Sequence, residues 1–170
     1  DPITNTIGAV NNNRVEDFYL AKYDKAIGNL IWVKTLSSAT TSGGAYPLGV
    51  SIDPNIDSIY VVGQFSNSVD FDNNALLELT GGPIGATAPF VAKFNTDGLC
   101  SWAYPIINPT LFSSCMSCDQ GEASDIEAYN DGFIIGLNSI QFGSNYEFNP
   151  RGTPTPILNP PGLVKSYVAR

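Results

Sequence analysis

The sequence predicts an all-β fold, and three observations carry that expectation. Gly, Pro, Asn, Ser and Thr are abundant, with 16 Gly and 12 Pro in 170 residues, a composition suited to short strands joined by many turns. No window sustains a helical period; the best candidate, Ser124–Tyr129, is short and reads equally well as a strand. Strand-like apolar phrases also recur in a fixed order along the chain. Apolar residues make up 43% of the chain, enough for a core, and charged residues only 14%.

The recurrence runs in chain order. Ala21 and Lys22, in DFYLAKYD, return as Ala92 and Lys93 in PFVAKFN, and again as Ala169 and Arg170 in the closing SYVAR. After the first copy comes a turn and a Trp strand, GNLIWVKTL with Trp32; after the second comes GLCSWAYPI with Trp102. An acidic, apolar strand and a glycine-bearing one follow: SIDPNIDSIYVVGQF, then DIEAYNDGFIIGLNS. In that alignment Gly63 matches Gly136, and SVDFDNN and NYEFNPR set Phe71 against Phe148. The chain divides into unit 1 at 1–71, unit 2 at 72–148, and a partial third unit at 149–170.

Each unit reads as four or five strands. In unit 2 they are expected near Leu76–Thr80, Phe90–Asn95, Leu99–Ile106, Ser124–Tyr129 and Phe133–Asn138. NTDG at Asn95–Gly98 and NDG at Asn130–Gly132 are hairpin-turn signals. IYVV and FIIG are apolar on both faces, which predicts small sheets covered on both sides, stacked face to face.

These phrases resemble the bacterial β-propeller repeats known as SBBP. The family pattern runs D-x-F-V-A-K-[LFY]-D-x-x-G-x-x-x-W, an aspartate strand, I-Y-V-x-G-x-F, then V-D-F-D-P. Here DFYLAKYD, GNLIW, SIDPNIDSIYVVGQF and SVDFDNN supply it in that order, and unit 2 follows it more loosely. Two insertions, Ser37–Pro47 and Ile107–Gly121, fall outside the pattern. The resemblance implies tandem propeller-like blades in a secreted or cell-surface protein, and it brings no shared catalytic residues. Two full repeats and the start of a third are too few to close a propeller, which takes about four blades or more.

Charge and rare residues narrow the function classes. The net charge is −8 and the eight Lys and Arg form no cluster. Nucleic acid, which demands a basic footprint, is not expected as a partner. No apolar run is long enough to span a bilayer, so membrane insertion is not expected. The chain has no histidine, which excludes Ser-His-Asp and Cys-His catalysis. No carboxylate pair stands apart as acid and base, so no catalytic residue is named and no enzymatic activity is expected. The chain opens at Asp1, as a mature product or a piece of a longer protein would.

Five groups of residues are candidate sites. Asp53, Asn55 and Asp57 in DPNID have the D-x-N-x-D spacing of calcium ligands. The following Gly and the distal Glu are missing, and Asp, Asn and Pro suit a hairpin turn, so the turn is preferred and calcium is the sole cofactor candidate. DFDNN at Asp70–Asn74 is a second oxygen cluster of the same standing. Cys100, Cys115 and Cys118 make a poor zinc site; a structural disulfide is preferred, its connectivity open. Lys22, Lys93 and Arg170 against Asp53 and Glu127 read as a repeated ion pair ahead of a polar groove. Trp32, Trp102, Tyr19, Phe90 and Tyr167 read as core ahead of a sugar-stacking surface.

The functional expectation follows from the unfinished count of repeats. A stack of two units exposes apolar faces and strand edges. It must belong to a longer propeller, a ring of copies or a filament. The expected function is a structural subunit of an extracellular assembly whose partners are copies of itself. In that reading the segment Asn149–Arg170, ending in Tyr167, Val168, Ala169 and Arg170, is the strand offered to a neighbouring subunit; the equally weighted reading is a chain cut short inside a longer propeller. The alternative is an adhesin-like or carbohydrate-binding module of a larger surface propeller, with glycans or surface proteins as partners.

Overall fold

The computed structural model describes residues 18–38, 44–71, 79, 87–106, 121–129, 132–139, 146–147, 156–157 and 165–169. Every regular element among them is a strand. The first sheet holds β1 (Phe18–Tyr23), β2 (Leu30–Ser38) and the short β5 (Val69–Asp70), in the order β1-β2-β5. The central sheet is an antiparallel meander of β3 (Gly44–Asp53), β4 (Ser58–Ser66), β6 (Ala88–Asn95) and β7 (Cys100–Pro105). The last sheet has the order β12-β9-β8, from β8 (Glu122–Tyr129), β9 (Gly132–Ser139) and β12 (Lys165–Ala169). A separate ribbon pairs β10 (Tyr146–Glu147) with β11 (Pro156–Ile157). The described strands do not close into a ring.

The sheets are offset from the sequence units. The central sheet takes β3 and β4 from 1–71 and β6 and β7 from 72–148. The last sheet takes β8 and β9 from 72–148 and β12 from 149–170.

Alternation along β4 dictates the stacking. Ile59, Val61 and Phe65 point to one face, with Phe90, Ala92 and Phe94 of β6 beside them, and meet Leu20 and Trp32 of the first sheet. Tyr60 and Val62 point the other way, with Val91 and Trp102, and meet Ala123, Ile126, Ala128, Ile135 and Leu137 of the last sheet. The doubly apolar IYVV phrase is thus covered on both faces, and Val61, Val62 and Phe65 are all 0% exposed. Burying each such side chain is worth about 1.5–3 kcal/mol. Phe71 seals the first face: its ring lies 5.3 Å from Phe90 and edge-on at 5.7 Å from Phe94. Polar bonds tie the second junction. Gln64 Nε2 donates to Glu122 Oε2 at 3.1 Å, and Asn138 Nδ2 donates to Glu122 Oε1 at 3.3 Å.

The β1–β2 and β6–β7 hairpins follow one plan, with six residues in the first turn and five in the second. Lys22 stands opposite Trp32 and Lys93 opposite Trp102, each followed at once by a register shift. Both turns are closed by an acceptor side chain. Asp24 Oδ1 takes the N–H of Ala26 and Ile27, and Asn95 Oδ1 takes those of Asp97 and Leu99. Gly28 and Gly98 then adopt φ of +71° and +77°, which glycine reaches without strain.

The ladders correct one sequence alignment. Val61 pairs with Ala92, and Ile135 with Ala169. Counting from those pairs, Leu137 stands in Gly63's place, not Gly136. Glu127, opposite Ile134, likewise matches Ser51 opposite Tyr60, not Asp53. The reason is hairpin length. Four residues separate the closing pair Asp53–Ser58, but two separate Tyr129–Gly132, so equal spacing in sequence no longer means equal height in the sheet. The space around each glycine agrees. A Cβ on Gly63 would strike the Tyr46 carbonyl oxygen and sit 2.7 Å from Pro47 Cα, where the β3 bulge crosses it; on Gly136 the nearest atom is Asp125 Cβ at 3.7 Å.

Gly63→Ala is therefore expected to cost about 3 kcal/mol or more, and Gly136→Ala within about 1 kcal/mol, in urea denaturation.

Candidate functional site

Both sheet junctions close around a Lys–Trp pair, and the open counterpart of these junctions is the candidate site. In the closed junction, β1 and β2 grip the turn of the following hairpin. Lys22 Nζ and Trp32 Nε1 both donate to the Thr96 carbonyl, at 3.2 and 3.0 Å. Gly98 packs beneath them, so close that a Cβ there would sit 3.0 Å from the Trp32 ring. At the second junction Lys93 lies over the Tyr60 ring, 5.5 Å from its centroid. Trp102 stacks on Tyr104 at 5.0 Å and faces Phe133 at 6.3 Å.

The inner strands of neighbouring sheets also meet. Ala128 N of β8 donates to Ser51 Oγ of β3 at 3.0 Å. A Cβ on Gly49 would come 3.3 Å from Asp125 Cα, so glycine permits this approach of two backbones.

The outer face of the first sheet and the edge strand β3 of the central sheet carry the same chemistry without a cover. Tyr19 and Tyr23 occupy the positions of Phe90 and Phe94 but are 58% and 59% exposed, while both phenylalanines are 0% exposed. Val50 and Ile52 occupy the positions of Ile126 and Ala128 in the ladder. They are 58% and 60% exposed, against 4% and 9%. Leu48, also exposed, continues the strip and borders an open crevice with Tyr19, Leu20 and Gly49. Among the described residues β1 is paired on one side only. An apolar strip beside an unpaired edge is a surface for another strand.

The sequence candidates fall into place around this face. Asp53 ends β3, is 0% exposed, and its Oδ1 accepts the Asn55 N–H at 2.9 Å. Asp57 has φ of +48°, a turn conformation that Asp tolerates, so Asp53, Asn55 and Asp57 build a hairpin turn. Among the described residues no three or more His, Cys, Asp and Glu gather where a metal ion would bind. Cys100 is half-buried at the start of β7 beside the first core; Cys115 and Cys118 lie outside the described residues. Glu127 is exposed and Asp53 buried, so the two carboxylates do not share an environment. Trp32 and Trp102 pack between sheets, Phe90 is core, and Tyr19 is surface. Tyr167, Val168 and Ala169 lie in β12 on β9 of the same chain; Arg170, Asp72–Asn74 and Phe148 lie outside the described residues. The open face itself was missed in the sequence. Its signal was present, in Val50 and Ile52 alternating along an edge strand.

No protein-family model and no curated protein matches this chain.

The clasp is testable by separating its bond from its packing. Trp32→Phe removes the indole N–H and is expected to cost about 1 kcal/mol. Trp32→Ala also removes the packing and is expected to cost about 3 kcal/mol. Urea denaturation of both variants measures the difference.

Proposed function

We propose that this chain is a structural subunit of an extracellular or cell-surface assembly, a filament or ring built by stacking of blade-like sheets and strand pairing between copies. The observation that carries this reading is the exposure of Tyr19, Tyr23, Val50 and Ile52, whose counterparts one repeat later are buried between sheets. A stack built by one repeated junction has the same junction to offer at its end. The likeness of the phrases to SBBP propeller repeats supports the blade reading and the extracellular setting. The absence of histidine supports a non-catalytic role.

A second reading rests on the same exposed rings. Tyr19 and Tyr23 on one face suit stacking against sugars, as in an adhesin-like or carbohydrate-binding module. Binding of soluble glycans to a chain that stays monomeric would favour it.

Sedimentation equilibrium over a wide concentration range tests the assembly reading. The mass is expected to rise with concentration without added ligand. A single monomeric mass throughout would contradict it.

A further inference from the structure

We propose that the open face takes the β8–β9 hairpin of a second copy, whose β9 pairs with β1 in place of its own β12. This inference rests on the assembly reading above and names its joint. The registers supply the fit. In the central sheet β4 holds β6 with Val61 opposite Ala92. In the last sheet β9 holds β12 with Ile135 opposite Ala169. Ala21 of β1 stands where Ala92 does, since each lies one residue before the Lys–Trp pair. A β1 laid along the second copy's β9 thus sets Ala21 opposite Ile135, the ladder that β12 uses in its own chain. The combined sheet, β8-β9-β1-β2, repeats the strand order of the central sheet β3-β4-β6-β7, with the short β5 added beyond β2.

The side chains around the joint then find the partners their counterparts have. Tyr19 and Tyr23 turn toward the second copy's central sheet, as Phe90 and Phe94 turn toward the first sheet. The second copy's β8 covers Val50 and Ile52, as β3 approaches Ile126 and Ala128. Ala128 N is met there by Ser51 Oγ. The matching acceptor for Ile52 N is Glu127, which holds Ser51's ladder position and is exposed. The clasp repeats too. Lys93 and Trp102 of the second copy sit as Lys22 and Trp32 do, and the turn they meet is Asp24–Asn29, with the Lys25 carbonyl in the place of Thr96.

A second copy is the occupant that this geometry selects, because one chain carries both halves of the joint. Its β8–β9 hairpin serves the copy ahead and its β1–β2 hairpin the copy behind. Such a head-to-tail contact closes into a ring or runs on as a filament. In this arrangement β12 is a placeholder, covering the β9 edge until β1 of another copy displaces it.

Two readouts on the full-length chain test the joint. An equimolar mixture of ¹⁴N and ¹⁵N chains is treated with a short amine-reactive cross-linker at concentrations where the chain associates. Lys25–Lys93 links of mixed isotope are expected. Sedimentation equilibrium is then run on two variants whose fold is checked by circular dichroism. Val50→Glu/Ile52→Glu buries two carboxylates in the joint and is expected to weaken association about tenfold or more. Tyr167→Pro/Val168→Pro removes one N–H facing β9, because successive N–H groups point to opposite sides, and is expected to strengthen it. If the native chain associates but these links carry one isotope, or Val50→Glu/Ile52→Glu associates as the native chain does, this joint is wrong while the assembly reading stands. Loss of association in the proline variant would make β12 itself the joint and overturn the proposal. A native chain that stays monomeric would overturn both, and would leave a preceding repeat or a different protein as the occupant of the face.

Discussion

The structure depends on a strand with no polar face. In β4, residues that point up and residues that point down are both apolar, and Val61 and Val62 sit side by side at 0% exposure. A strand of this kind is stable only inside a stack, since either face left to water forfeits the burial that holds it. The central sheet therefore needs a sheet before it and a sheet after it. The hairpin repeats supply both: β1–β2 on one side, β8–β9 on the other. The two cores are different in kind. The first is built on phenylalanines, with Phe71 closing it; the second is smaller in its side chains on β8 and adds the Gln64–Glu122–Asn138 bonds.

The stacking is directional. The first and central sheets each present Lys and Trp forward, from the face that carries Leu20 or Val91, and aromatic rings backward, from Tyr19 and Tyr23 or Phe90 and Phe94. Identical faces do not meet, so the junction has a head and a tail. This polarity makes closed two-fold pairing a poor match for the proposed assembly and favours a ring or filament. The exposed Leu48, Val50 and Ile52 strip belongs to the same logic, as the inner-strand part of the backward face.

Much of this fold was legible in the sequence, and the part that was not has a simple physical cause. Residue type and turn chemistry announce strands: β6, β7, β8 and β9 fall within about two residues of their expected bounds, and the NTDG turn forms as its Asn and Gly require. The Lys–Trp repeat was visible because both hairpins keep the same length from that pair to its bulge. Ladder height was not visible across β4 and β9. A four-residue turn in one repeat and a two-residue turn in the other put the aligned glycines one rung apart and the aligned acids, Asp53 and Glu127, two rungs apart, so the glycines differ in role. The turn at Asp53–Asp57 was legible from its Asp, Asn and Pro, but the burial of Asp53 as its acceptor was not, because that depends on the side chain's surroundings. The open face required knowing which sheets lie next to which, a long-range fact that no local pattern encodes.

Cover on both faces stabilises β4, and in the proposed assembly β1 gains the same completion. Hydrogen–deuterium exchange of the full-length chain, followed by residue at low and high protein concentration, tests it most directly. The β4 amides are expected to be the slowest at every concentration. The β1 amides facing away from β2 are expected to exchange quickly when dilute and to become protected as concentration rises. β4 amides exchanging as fast as those of β1, or β1 amides indifferent to concentration, would contradict it.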